Sequence, residues 1–220
     1  NAEAISMPDK VNTAIGAREF FEGVPSDATI DKLYDNLDRM RGVEVYLNNL
    51  GAASLNAMRA GNASIGADSS NKITITEQLL KPESLYLTGN TSTLYALAYL
   101  DLKTDGPLVV ELPPGMLGFL DDAWQRFVGN MGVTGPDKGK GGKYLVIPPG
   151  CTGEIPDGYF LLKPSTNRNF LFLRGSIKDG LKAAADNFKA GLRIYPLKDK
   201  ANPAPTEFIN MSGRSFSTIF

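Results

Sequence analysis

Asp121, Asp122, Trp124, Gln125 and Arg126 follow one another almost without interruption. Together they carry acids, an aromatic plane, an amide and a guanidinium, the groups that line a polar pocket. Trp offers a stacking floor and Arg a fork for an anion. On a strand Asp122, Trp124 and Arg126 share one face, and these three are the first candidate pocket residues. The plainer account is an Asp–Arg pair on a half-buried strand with Trp in the core, and it weighs ahead. A rival chemistry is a hydrolase acting on a saccharide or ester through Asp121 or Asp122, which needs two carboxylates facing each other about 5 to 9 Å apart across a cleft. Neighbours on a strand point to opposite faces and would break that pairing.

A second polar cluster, Asn90-Thr91-Ser92-Thr93-Leu94-Tyr95, stands at the mouth of a long apolar run. Asn90 and Tyr95 join the candidate pocket, although Asn and hydroxyl side chains more often cap turns by bonding nearby backbone. The stretch VTGPDKGKGGKYLVIPPG, residues 133–150, invites comparison with a phosphate loop. Aligning on Gly142-Lys143 puts Asp137 where the first Gly belongs and Tyr144 where the magnesium-binding hydroxyl belongs. A strand pattern follows instead of a helix, so no helix N-terminus meets an anion. A turn bearing lysines is the favoured reading, with loose anion binding a minor option.

The chain has no histidine and a single cysteine, Cys151. This removes Ser-His and Cys-His catalysis, the commonest zinc ligand and any internal disulfide. Chemistry by this chain alone falls to carboxylates, lysine, tyrosine or a metal held by oxygens. No catalytic residue is assigned, no metal or cofactor is expected, and whether the chain is an enzyme stays open. Lys plus Arg number 23 and Asp plus Glu 24, a net charge of −1 that offers no field to attract nucleic acid. No apolar run reaches the roughly 18 residues that span a bilayer. The opening Asn-Ala-Glu-Ala shows neither a Met nor a basic-then-apolar leader, so a signal peptide is expected to have been removed or never included.

The elements that must position these residues are read from periodicity. Residues 1–25 read as an extended N-terminal arm. From Ser26, an N-cap with Asp27 in the first turn, Ile30, Leu33, Tyr34, Leu37, Met40, Leu47 and Leu50 recur at helical steps. Gly51 is a candidate break, and residues 52–60 continue the helix or form a second, within a helical segment over 26–80. Six strand-like runs follow: 84–88, 94–100, 108–112, 143–147, 159–163 and 169–174. Residues 116–128 fit helix or strand, and their place between strands favours strand. Ser176-Ile-Lys-Asp179 opens a helix over 177–190 with Gly191 beyond it. Residues 194–197 then read as an edge strand, and 198–220 as a linker or the start of a further domain. The expected fold is α+β: a helical segment, then an antiparallel β-sandwich over 81–197, jelly-roll-like, with a C-terminal helix.

The order and spacing of Asn90-Thr-Ser-Thr-Leu-Tyr95, Leu100-Asp101-Leu102, Gly106-Pro107-Leu108-Val109, Asp121-Asp122-Ala123-Trp124, Thr134-Gly-Pro, Lys143-Tyr144-Leu145-Val146 and Pro149-Gly150 resemble bacterial domain-of-unknown-function family 1254. Phe20-Phe21-Glu22-Gly23-Val24-Pro25 through Arg41 is similar to its leading segment. The resemblance implies a β-sandwich core after a helical part, a family 1214 β domain downstream in the same product, and export to the periplasm or beyond, with a cytoplasmic setting the alternative. Relatives commonly carry Asp where this chain has Ser92, which puts in doubt any activity that depends on that acid. The leading expectation is a ligand-binding or assembly module whose partners are a small polar ligand and further copies of the chain in a homo-oligomer, with the carboxylate hydrolase as alternative.

Overall fold

The computed structural model describes residues 8–82, 84–86 and 88–219. The chain divides into two compact units, Asn1–Leu50 and Gly51–Phe220. In the first, β1 (Lys10–Thr13), β2 (Gly16–Phe21) and β3 (Val24–Pro25) pair antiparallel in that order. Where the sequence suggested an extended arm, residues 10–25 are therefore a small sheet, turned at Gly16 and Gly23, both at positive φ. Residues 1–7 lie outside the described part. Ser26 caps the following helix as expected, its Oγ accepting from the Thr29 N–H at 3.3 Å.

Helix α1 (Asp27–Ser64) is continuous. Within the first unit its residues Leu33, Tyr34, Leu37, Met40, Leu47 and Leu50 are exposed. Gly51 does not break it. A Cβ there would stand 3.0 Å from the Trp124 carbonyl oxygen, so this glycine serves close approach, not termination.

The second unit holds two mixed sheets. The six-stranded sheet runs β13 (Glu207–Asn210), β4 (Lys72–Ile75), β5 (Thr93–Asp101), β11 (Arg168–Ser176), β7 (Met116–Asp122), β8 (Phe127–Gly132). The four-stranded sheet runs β10 (Phe160–Leu162), β9 (Gly142–Val146), β6 (Leu108–Leu112), β12 (Arg193–Pro196). Two pairings, β10 with β9 and β13 with β4, are parallel, so the wholly antiparallel arrangement expected is corrected. The unit also holds four-residue α2 (Leu102–Asp105), α3 (Leu181–Gly191) and the last part of α1. Ser176 does not cap α3: Gly180 holds that position, while the Ser176 hydroxyl accepts from the Lys178 N–H.

One apolar cluster takes residues from both sheets and from α3: Ile73, Leu94, Ala96, Ala98, Leu120 and Leu173 with Leu108, Val110, Tyr144, Val146 and Phe188. Each fully buried Leu, Ile, Val or Phe side chain here contributes about 1.5–3 kcal/mol. The alternation that sends Leu94, Ala96 and Ala98 into this core sends Tyr95, Leu97 and Tyr99 to the other face of the six-stranded sheet. There a second cluster forms from Leu55, Tyr95, Leu97, Phe170 and Met211.

Two of the expected strands need comment. Residues 84–86 are irregular and do not pair, and Tyr86 packs against the second cluster instead; Leu87, in the same expected strand, lies outside the described residues. Conversely β4 and β13, read in the sequence as helical segment and linker, pair with each other, Glu207 against Lys72 through Asn210 against Ile75. Among the described residues no helix is long and apolar enough to cross a membrane.

Candidate functional site

Strand registers on the outer face of the six-stranded sheet bring three rows of side chains together. Arg174 lies between Tyr95 and Leu117, Phe172 between Leu97 and Phe119, and Phe170 between Tyr99 and Asp121. The Phe119 and Phe172 rings stack at 5.1 Å, Tyr95 meets Phe172 edge-on at 5.3 Å, and Tyr99 stacks on Phe170 at 5.2 Å. Ser54 and Met58 of α1, the loop of Leu80, Leu85 and Tyr86, and the tail residues Met211, Thr218 and Ile219 wall the same space. It is a cavity of about 450 Å³, a volume suited to a small organic ligand.

The tail reaches this position in steps. Its Met211 N–H donates to the Ile75 carbonyl, extending the β4–β13 ladder, and the Thr218 hydroxyl donates to the Leu85 carbonyl at 2.9 Å. Below the cavity Asn62, fully buried, donates to the Met58 carbonyl and the Tyr86 and Tyr99 hydroxyls, and accepts from Thr74. Burial pushes the Tyr86 phenol up to about 12, against the lowering effect of Asn62, and pushes Tyr99 higher still. Both remain neutral structural groups.

Among the described residues two charged groups face the cavity. The Arg174 guanidinium lies over the Tyr95 and Phe172 rings, at 5.7 and 5.2 Å from their centroids. Its Nε, closed off from solvent, has no hydrogen-bond partner, and no ion pair to Arg174 forms among the described residues. Asp121 stands at the other end. Burial, and secondarily the charge of Asp122, raise its carboxyl from the ordinary 3.8 to about 6. The strand slips register between Leu120 and Asp121, an irregularity often found where a functional side chain is aimed.

Asp122 does something different. Burial alone would raise it, but the Ser165 hydroxyl (2.7 Å), the N–H groups of Arg126 and Trp124 (3.0 and 2.8 Å) and the Arg126 charge outweigh burial and hold it below the usual range. Its carboxylate closes the β7–β8 hairpin, and Arg126 completes that closure through Nε at 3.0 Å. Trp124 sits in the turn, 44 % exposed, with Gln125 at φ 61° in the position that three-residue hairpins usually give to glycine. Because residues 123–126 turn instead of continuing the strand, Asp122, Trp124 and Arg126 form a hairpin clasp and do not line the cavity. Asp121 and Asp122 lie on opposite faces, so they do not face each other across a cleft.

Asn90 caps the turn before β5, its Oδ1 accepting from the N–H groups of Ser92 and Thr93, both at 2.9 Å. Its own N–H donates to the Tyr95 hydroxyl at 2.7 Å. Of the five candidates Tyr95 alone lines the cavity, and Asn90 holds it. Arg174, Phe170 and Phe172 were not singled out in the sequence. The period-two signal in Asn169-Phe-Leu-Phe-Leu-Arg174 carried them, an aromatic face ending in a charge. Lys138 and Lys140 of the β8–β9 loop and Lys143 of β9 are exposed, and Lys143 pairs with Glu111 at 2.9 Å.

The raised carboxyl gives a signed expectation. The folded state holds the Asp121 proton more tightly than the unfolded chain, so its effect on stability is absent below about pH 4. Stability is then lost progressively as pH rises to about 6, and the loss is constant above. Asp121→Asn should therefore be more stable than wild type by about 1 kcal/mol at pH 7.5, a figure discounted for partial exposure. At pH 4 the two should match. Urea unfolding at both pH values checks this, and equal stability at pH 7.5 would show that the carboxyl is not desolvated.

No curated protein matches the chain. Among solved structures, it is similar to the VPA0106 protein of Vibrio parahaemolyticus, with 18 % identity and a TM-score of 0.48 over 70 % of this chain and 38 % of that one. It is also similar to an uncharacterised protein of Burkholderia cenocepacia, with 16 % identity and a TM-score of 0.36 over 77 % and 45 %. The chain thus spans less than half the length of either. The family model described as "Protein of unknown function (DUF1254)" matches residues 70–196, from β4 through β12 and including Tyr95, Asp121 and Arg174. With more than half its length matched, the chain belongs to the DUF1254 family.

Proposed function

We propose that this chain is a ligand-binding module whose site is the cavity on the outer face of the six-stranded sheet. The observation that carries the reading is a space of about 450 Å³ whose wall combines Tyr95, Phe119, Phe170 and Phe172 with the Arg174 guanidinium, which has no ion pair among the described residues. Aromatic surface supplies affinity through apolar burial, and one or two polar groups orient the occupant. The hydrolase alternative loses its support at Asp121 and Asp122, which point away from each other, and among the described residues no other carboxylate lines the cavity.

The reading takes the two sheets about their shared core as an open β-sandwich, with no jelly-roll closure required. The wider setting, an exported product with a family 1214 β domain downstream, rests on the family resemblance alone. The exposed apolar residues of α1 between Leu33 and Leu50 favour a second role in assembly. The binding reading is tested with the neutral fluorescent probe N-phenylnaphthylamine. Wild type should take up the probe, whereas Ser54→Trp, an exposed position on the cavity side of α1, should bind it about tenfold more weakly with its melting temperature unchanged. Equal uptake by the two proteins would defeat the reading.

A further inference from the structure

Taking the cavity as a binding site, we infer that its ligand is an amphipathic monocarboxylate, with the anionic head on Arg174 and the apolar body laid along Phe172 and Phe119 toward Asp121. The Arg174 guanidinium lies over the Tyr95 and Phe172 rings, and no acid among the described residues pairs with it. A carboxylate matches that fork with two parallel hydrogen bonds. Between the two charges the wall is apolar: the row of Leu97, Phe172 and Phe119 separates the row of Arg174 from that of Asp121.

Asp121 then sets direction. Its register partner is Phe170, four residues along β11 from Arg174, a spacing of about 13 Å, which an extended chain of about ten carbons covers. A carboxylate placed at the Asp121 end would meet a like charge, so the head has one favourable position and a second acid group on the ligand is rejected.

The test is calorimetric titration of decanoate, decanol and decylamine into wild type, Arg174→Met and Arg174→Lys, each variant first shown by its melting curve to be folded. Decanoate should bind wild type at least tenfold more tightly than decanol. In Arg174→Met the two should become equal through loss of decanoate affinity alone, and Arg174→Lys should keep part of the preference. Decanol binding as tightly as decanoate, decylamine binding most tightly, or a preference that survives Arg174→Met would each overturn the carboxylate assignment while leaving the cavity a binding site. Failure of all three ligands and of the neutral probe to bind would remove both readings.

Discussion

Asp137→Ala will cost the fold about 4 kcal/mol, the sum of leaving two or three buried donors without a partner at about 1–3 kcal/mol each. Asp137 is 5 % exposed although it sits in a loop rich in glycine and lysine. Its Oδ1 accepts from the Gly132 N–H at 2.8 Å and from the hydroxyl of Tyr144, a fully buried residue, and its Oδ2 accepts from the Gly141 N–H at 3.1 Å. One carboxylate thereby ties the end of β8, the loop and the start of β9 to the core. Burial first, then Asp137 itself, raises the Tyr144 phenol well above its ordinary range, so the hydroxyl keeps its proton to donate. Asp137→Asn should cost less than alanine, since its carbonyl can still accept from Gly132 and Tyr144 while its amide opposes the Gly141 N–H. Urea unfolding of both variants gives the order. An alanine variant within about 1 kcal/mol of wild type would show that water replaces the carboxylate.

The same loop explains what could be read in the sequence. Its mismatch with a phosphate loop was visible as Asp137 at a glycine position, but the positive reason for that aspartate was not, because Tyr144 and Gly132 become its partners only when β8 and β9 are placed. Strands with dense apolar runs between Gly and Pro, such as β5, β6, β9 and β11, were legible because local pattern and burial agree. Strands β4 and β13 were not. Each is four residues long, and they pair across more than a hundred residues, so no local signal marks them. For the site, the residues clustered in sequence, Asp122, Trp124 and Arg126, satisfy one another inside a hairpin. The residues that line one cavity, Tyr95, Asp121 and Arg174, come from three strands. The alternation of each strand shows which side chains share a face. It does not show that α1 and residues 211–219 roof that face.

That roof rests on a glycine, and Gly61→Ala tests it with a sign opposite to helix propensity. Alanine in place of glycine inside a helix ordinarily gains about 1 kcal/mol. At Gly61 a Cβ would stand 2.0 Å from the Ser217 carbonyl oxygen and 3.2 Å from the Phe216 ring, so the tail must lift. Lifting it strains the Thr218 hydrogen bond to Leu85 and the edge contact of Phe216 with Tyr86. The net result should be a loss of about 2 kcal/mol, with new protease cleavage confined to residues 211–219 and weaker uptake of the neutral probe. Gly42 is the internal control: it lies in the same helix with nothing within 4 Å of its Cβ position, so Gly42→Ala should follow propensity and stabilise. If both substitutions stabilise, the tail does not cross α1 at Gly61 and the cavity has lost one of its walls. If the two part in sign, one contact at one glycine is what closes the candidate site.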